Sequence, residues 1–129
     1  MTKIISNYKY RPSHEWVQRI SLQSNIYIIG ITDYAQKLLG DIVFIELPIV
    51  NTIFNIGEEC AVAESVKTAS SIYAPLTGKI IEINILLNNN PELVNTNPYD
   101  QGWIFKIESW KDYELDLLLN ASDYQKNLQ

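Results

Sequence analysis

Apolar residues along the chain fall into short runs rich in isoleucine, valine and aromatic residues, and glycine, proline, asparagine and aspartate separate the runs. Runs of this length, bounded by turn-forming residues, are typical of β-strands in a small all-β domain. The pattern predicts seven strands, over residues 15–20, 25–31, 42–46, 60–64, 70–74, 79–85 and 103–107. We therefore expect a mainly β fold to which helices are additions.

A short helix is predicted between the second and third of these strands. Thr32 and Asp33 offer side-chain oxygens that can cap its first turn. Residues 34–39 are helix formers, and Gly40 supplies a stop at the C-terminal end.

The end of the chain has a different pattern. Over residues 111–119 the apolar side chains follow helical spacing, and residues 122–128 can add another turn or two. We expect one domain over residues 1–129, with a C-terminal helical extension over about 111–129 that packs on the sheet.

Charge and hydropathy exclude several classes of function. The chain has 129 residues and a formal net charge of -5 at pH 7, which argues against a nucleic-acid partner because phosphates attract a basic face. No run approaches the roughly 20 apolar residues that cross a bilayer, and the N-terminus lacks the features of a secretory signal. We expect no membrane partner, and a location in the cytoplasm, or in an organelle matrix such as the mitochondrial one if a transit peptide was removed. The single cysteine, Cys60, fits a reducing compartment as a buried thiol.

The most informative stretch is centred on Lys67. Gly57 lies ten residues before this lysine and Gly78 eleven residues after it, with one strand-length apolar run on each side. This punctuation predicts a hairpin with Lys67 at its tip.

Three uses of such a lysine are open. It can be a solvated charge on a turn, which is the common case for a hairpin lysine. It can be a catalytic amine, but that use requires a lowered pKa, and the neighbouring Glu64 favours the charged form. It can be a covalent attachment site, for which a protruding amine among small residues such as Ser65 and Thr68 is suited. The predicted geometry fits attachment best.

Residues that would indicate an enzyme do not form a recognisable set. His14 is the single histidine, and we expect it at the surface or at a strand edge. The sequence has no nucleophile elbow, no phosphate-binding glycine loop and no cysteine and histidine spacing for a metal. We expect no catalytic residues and no metal site.

Several motifs together resemble the glycine cleavage system H-protein family. They occur in the family's order between Tyr10 and about Tyr124, so the resemblance covers nearly the whole chain. The segments that carry it are 13–17 (SHEWV), 30–36 (GITDYAQ), 39–48 (LGDIVFIELP), 64–70 (ESVKTAS), 73–78 (YAPLTG), 91–95 (PELVN), 97–99 (NPY) and 102–103 (GW). The chain departs from the family at residues 49–51, where the family has an acidic residue and a glycine in the turn.

The resemblance implies a fold, a cofactor and a set of site residues. The fold is a flattened β-barrel or sandwich of the lipoyl and biotinyl carrier type. The cofactor is lipoic acid, bound to Lys67 as N6-lipoyllysine, and the enzyme that attaches it would recognise Glu64, Ser65 and Val66. By alignment, Ser13, Glu15, Leu38 and Leu39 are candidates to line a surface cleft for the arm, with ordinary packing or capping as the alternative.

The resemblance also implies a non-catalytic carrier role and its partners. The arm takes the aminomethyl intermediate of glycine decarboxylation from a pyridoxal phosphate-dependent glycine decarboxylase to a folate-dependent aminomethyltransferase. A flavin-dependent dihydrolipoyl dehydrogenase then reoxidises it. A lipoate ligase or a lipoyl or octanoyl transferase would load the lysine. We expect a monomer that forms transient complexes.

Other interpretations lead to different tests. A biotin carrier uses a similar lysine, typically flanked by methionines, whereas Val66 and Thr68 flank it here. A relay that passes lipoyl or octanoyl groups to 2-oxoacid dehydrogenase complexes would have the same lysine motif, and a genome without the decarboxylase and the aminomethyltransferase would favour it. An unmodified interaction domain is the third alternative.

Overall fold

The computed structural model describes residues 2–128, whose strands form two antiparallel sheets. The larger sheet has the spatial order β1 (Lys9–Tyr10), β2 (Glu15–Arg19), β3 (Ile26–Ile31), β9 (Phe105–Ser109), β8 (Gly78–Ile83) and β5 (Ile53–Phe54). The smaller sheet consists of β4 (Ile42–Glu46), β6 (Glu59–Ser65) and β7 (Ala69–Tyr73), with β6 in the centre. The predicted mainly β fold is confirmed as a flattened sandwich of two sheets.

The core combines side chains from both sheets. Phe105 and Ile107 lie on the buried face of β9, where buried and half-buried residues alternate as expected for a strand with one face on a core. Ile29 of β3 joins them from the same sheet, and Ala63 and Ile72 join from the smaller sheet. Since one cluster contains residues from both sheets, it supports the single domain that we propose.

The seven predicted strands are all present, and their ends differ from the predicted ones by at most two residues. The largest differences are at β8 and β9. β8 ends at Ile83 because the buried Asn84 side chain donates to the carbonyls of Gln101 and Trp103, both at 2.7 Å. Its oxygen caps the 3-10 helix Ile85–Asn88, so the predicted strand runs two residues too far.

Besides the 3-10 helix Ile85–Asn88, three short elements were not predicted. β1 and β5 have two residues each, too few for a period-two pattern, and they are held by pairing with β2 and β8. The third is α2 (Leu93–Thr96). Its Asn95 side chain donates to the Gly40 carbonyl and accepts from the Ile42 N–H, both at 2.9 Å.

The helix α1 (Asp33–Leu39) lies where it was predicted, between β3 and β4. The Thr32 hydroxyl oxygen accepts a hydrogen bond from the Ala35 N–H at 3.2 Å, as an N-cap residue does. Gly40 follows the helix with a φ of 82°, in the left-handed region that glycine tolerates. The first residue of the helix is Asp33 rather than Tyr34.

The C-terminal extension contains less α-helix than was predicted. Residues 112–117 form a 3-10 helix, and only Ala121–Asn127 (α3) is α-helical. The carboxylate of Glu114 points inward from the 3-10 helix and accepts hydrogen bonds from Thr77, which fixes this segment against the start of β8. α3 packs on the larger sheet through Tyr124.

No helix within residues 2–128 has the length and hydropathy that a membrane span requires.

Candidate functional site

Lys67 lies at the tip of the hairpin formed by β6 and β7. The Ser65 N–H donates to the Thr68 carbonyl at 2.7 Å, which closes a turn with Val66 and Lys67 at its centre. The Ser65 hydroxyl accepts hydrogen bonds from the N–H groups of Lys67 at 3.3 Å and Thr68 at 3.1 Å. Ser65 is 8% exposed, so its side chain is an internal brace for the turn.

The lysine side chain is exposed and extends over the end of α1. A Cβ built at Gly40 would lie 3.6 Å from Lys67 Cε and 4.0 Å from Lys67 Nζ. The Val66 N–H also donates to the Asp41 carbonyl at 3.1 Å. These contacts hold the hairpin tip against the end of α1, so the base of the lysine side chain has a fixed position on the surface.

A cavity of about 110 Å³ lies beside this hairpin. Its walls come from the turn before β2, from the start of β2, and from β3, α1, β6 and β7. The lining residues are Ser13, His14, Glu15, Ile31, Ala35, Leu38, Leu39, Ala63, Ser70, Ser71 and Ile72. The four residues predicted to line an arm cleft, Ser13, Glu15, Leu38 and Leu39, are all among them. Leu38 and Leu39 end α1 next to Gly40, so the wall of the cavity begins where the lysine stem lies.

Glu15 is the buried carboxylate of this cavity, with 1% of its surface exposed. One carboxylate oxygen accepts a hydrogen bond from the Ser13 hydroxyl, and the other accepts from the Tyr73 N–H at 2.9 Å. Burial raises the pKa of Glu15 to about 7, against the opposing effects of these hydrogen bonds and of the Arg11 charge. Glu15 can therefore change its charge state near neutral pH.

His14 lines the same cavity and is held by the last helix. Its φ is 80°, which is uncommon for a residue other than glycine. Its Nδ1 lies 2.7 Å from the Tyr124 hydroxyl, and that hydroxyl lies 2.7 Å from Thr32 Oγ1, the cap of α1. Burial lowers the pKa of His14, so the imidazole is neutral at pH 7. The expectation of a surface or strand-edge histidine missed this half-buried, hydrogen-bonded position.

Glu64 and Val66, predicted with Ser65 to be recognised during attachment, lie beside the lysine. Glu64 is half-buried in β6 and pairs with Ala69 across the hairpin. Val66 is 76% exposed. The outer surface at the tip is therefore formed by Val66, Lys67 and Thr68, whereas Ser65 is covered.

Cys60 is buried in β6, as expected for a small apolar side chain. Within residues 2–128, no group of three or more histidine, cysteine, aspartate and glutamate side chains is placed to hold a metal ion.

Several residues of the site were missed in the sequence, among them these three. Arg11 donates to Ser13 next to Glu15, Tyr124 binds His14 from 110 residues away, and Ser70 lines the cavity from β7. Because the first two act through contacts made only in the folded chain, no local pattern could indicate them. The alternation of β7 could have placed Ser70 on the face that it shares with Ile72.

The comparisons with known proteins agree with one another. A profile of the family described as Glycine cleavage H-protein matches residues 8–129. A glycine cleavage system H protein of Pectobacterium atrosepticum is 50% identical over 129 residues, which are 100% of this chain and 98% of the relative. One from Photorhabdus laumondii is 52% identical over 97% of this chain and 95% of the relative. The crystal structure of a glycine cleavage system H protein from Mycobacterium marinum matches with a TM-score of 0.85 and 32% identity, and covers 97% of this chain and 98% of that one.

Proposed function

This chain belongs to the glycine cleavage H-protein family, and we propose that Lys67 is the residue that bears its lipoyl group. The chain is a non-enzymatic lipoyl carrier of the glycine cleavage system. The observation that carries the proposal is the position of Lys67, an exposed amine on a braced turn beside the cavity. By contrast, Lys37 and Lys106 form ion pairs with Asp33 and Glu82, which hold these two lysines along their own helix or sheet.

The residues near Lys67 have different parts in attachment. Val66 is exposed next to the lysine and is available to a ligase or a transferase. Ser65 acts from inside, because its hydroxyl orients the N–H groups of the turn. Glu64 is half-buried in the adjacent strand, so part of its side chain is open to the attaching enzyme.

We propose that the cavity shelters the loaded end of the arm. The lipoyl group, when attached, would supply a disulfide that takes up the aminomethyl cargo and is left as a dithiol when the cargo is released. Leu38 and Leu39 offer apolar surface to a hydrocarbon chain, and Ser13 and Glu15 lie at a polar wall. An ionised Glu15 would pair with the protonated amine of the cargo, since a buried carboxylate is stabilised by a cation. Enclosure here also limits the access of water.

The partners that this proposal requires are glycine decarboxylase, aminomethyltransferase and dihydrolipoyl dehydrogenase, together with the enzyme that attaches lipoate. The carrier supplies no acid, base or nucleophile to their reactions. It raises the effective concentration of the tethered cargo at each docked active site. The bacterial relatives support a cytoplasmic location. We propose a monomer that forms transient complexes, because a carrier that serves several enzymes must release each one.

Intact-mass spectrometry of protein isolated from its native cells tests the attachment site. The wild-type chain and a Lys126→Arg control, in which an exposed lysine of α3 is changed, are expected to carry a lipoyl increment. A Lys67→Arg variant is expected to lack it and to support no glycine cleavage when the other components are supplied. An increment that persists in Lys67→Arg would assign the arm to another lysine.

A further inference from the structure

Arg11 is linked to the Glu15 carboxylate of the cavity through the Ser13 hydroxyl. Its Nη1 donates to the Ser13 hydroxyl at 2.7 Å, and that hydroxyl is 2.5 Å from Glu15 Oε1. A serine hydroxyl has one proton to donate, and a guanidinium can only donate. Because Ser13 accepts from Arg11, its proton is directed to Glu15, which must then be the acceptor.

The second oxygen of Glu15 is also held as an acceptor. It receives the Tyr73 N–H at 2.9 Å, and a backbone N–H cannot reverse its role. Both oxygens of Glu15 face donors, so the ionised carboxylate accepts both hydrogen bonds. A protonated carboxyl group has a proton of its own, and neither of these two contacts offers an acceptor for it. Without Arg11, the Ser13 hydroxyl would be free to rotate and accept that proton.

Three contacts fix Arg11 in this position. Its guanidinium carbon lies 5.4 Å from the centre of the Tyr73 ring, within cation-π distance. The backbone N–H of Arg11 donates to the Glu15 backbone carbonyl at 2.9 Å. A Cβ built at Gly57 would lie 3.3 Å from Nη2, so the glycine leaves the space that the guanidinium occupies. Arg11 is therefore placed by β2, β7 and the turn before β6.

Other titratable groups face Glu15 from the surrounding elements. His14 precedes it, Cys60 lies on β6, and Tyr124 lies on α3. Burial raises the pKa of the Cys60 thiol to about 12 and also raises the pKa of Tyr124, while it lowers the pKa of His14. These three groups are neutral at pH 7, and Arg11 supplies the positive charge that opposes burial at Glu15.

We propose that Arg11 is a positioning residue for the arm cavity, which acts through the Ser13 hydroxyl to keep Glu15 as an ionised acceptor for the cationic end of the cargo. This inference rests on the proposed function of the cavity. Arg11 would thus control the charge of the arm cavity from a second groove. That groove is lined by Arg11, Pro12, Ser13, Ile56, Leu117 and Leu118.

A carboxyl-detected NMR titration of the unmodified protein tests the local part of the proposal. Arg11→Gln is expected to raise the midpoint of Glu15 by about one pH unit, since a nearby opposite charge is lost. Arg11→Lys, which keeps a charge and a donor, is expected to stay near the wild-type midpoint. Arg19→Gln is the matched control, because Arg19 also stacks on a tyrosine, at 5.5 Å from the Tyr27 ring, but does so at the far end of β2. Equal midpoints in wild type and Arg11→Gln would overturn the proposal, as would an equal shift in the control.

The loaded protein tests the functional part. The pH dependence of cargo loss to water, followed as released formaldehyde and ammonia, is expected to move upward in Arg11→Gln by the same interval as the Glu15 midpoint. A shifted midpoint with an unchanged loss profile would overturn the positioning role. Absence of a lipoyl group on Lys67 would instead contradict the proposed function, and the titration of the unmodified protein would still decide how Arg11 acts on Glu15.

Discussion

Glu15 and Glu114 are buried to nearly the same extent, 1% and 3% exposed, but they lie in regions with different tasks. Both oxygens of Glu114 bind one residue, Thr77, through its N–H and its hydroxyl, each at 2.7 Å. The oxygens of Glu15 bind Ser13 and Tyr73 from two segments, and the side chain lines a cavity. Full burial of a carboxylate therefore does not distinguish a structural brace from a binding group. A cavity next to the carboxylate does distinguish the two.

The largest effect is expected where the carboxylate is a brace. Glu114→Ala would leave the Thr77 N–H and hydroxyl without their acceptor inside the protein. We expect a loss of about 4 kcal/mol in the free energy of unfolding, from two unsatisfied buried groups. Urea denaturation measures it, with Asp116→Ala as a control in the same 3-10 helix, because Asp116 is exposed.

The comparison also predicts that Glu114 has no direct part in carrying the arm. Glu114→Ala that is folded at low temperature should be lipoylated as completely as wild type. A folded variant that is not lipoylated would show that Glu114 acts on the arm region.

A smaller, pH-dependent effect is expected at Glu15. Burial raises its pKa from 4.5 to about 7, so the folded chain retains the proton where the unfolded chain has lost it. The stability that this proton provides is complete below pH 4.5 and is lost as the pH rises through 7. Glu15→Gln cannot ionise, so its stability relative to wild type should rise by about 3 kcal/mol over this interval.

Denaturation of both proteins at a series of pH values measures this difference. Taking the difference removes the opposite contribution of His14, whose lowered pKa favours the folded state as the pH rises. A constant difference between pH 4 and 8 would mean that Glu15 keeps an ordinary pKa in the folded protein.

The smallest effect tests the link between the two regions. Tyr124 lies in the C-terminal extension, and its hydroxyl is within hydrogen-bond distance of His14 at the cavity and of Thr32 at the cap of α1. Tyr124→Phe keeps the ring stacked on Tyr10, at 4.5 Å between centres, and removes both hydrogen bonds. We expect a loss of about 1.5 kcal/mol in stability.

The same variant should also change the nitrogen chemical shifts of His14 in an NMR spectrum, because Nδ1 loses its partner. Tyr10→Phe is the control, since the Tyr10 hydroxyl binds the backbone of Ile5 instead. Unchanged His14 shifts in Tyr124→Phe would contradict the link.

The fold followed from the sequence wherever a strand was long enough to show alternation. β1 and β5 are held by neighbouring strands rather than by a pattern of their own, and so they could not be predicted. The segment 111–119 has helical spacing, yet the inward turn of Glu114 toward Thr77 gives it a 3-10 conformation over six residues. In that case a single buried polar contact overrides the local propensity.

The candidate site could be predicted only in part. Lys67 stood out because two glycines and two apolar runs surround it symmetrically, and the cavity residues came from the family resemblance. The relation between Arg11, Ser13 and Glu15 could not be foreseen, because it depends on hydrogen-bond direction in the folded chain. The bond from Tyr124 to His14 depends on packing between the two ends of the chain.

The position of the Lys67 stem over Gly40 also affects the mobility of the arm. The unmodified ammonium lies close to the C-terminal end of α1, where the backbone carbonyls carry partial negative charge. Formation of the amide removes the positive charge, and with it the attraction to the helix end. Acylation would therefore remove the attraction that holds the lysine side chain near the helix end. The lipoylated arm would then move without this electrostatic contact.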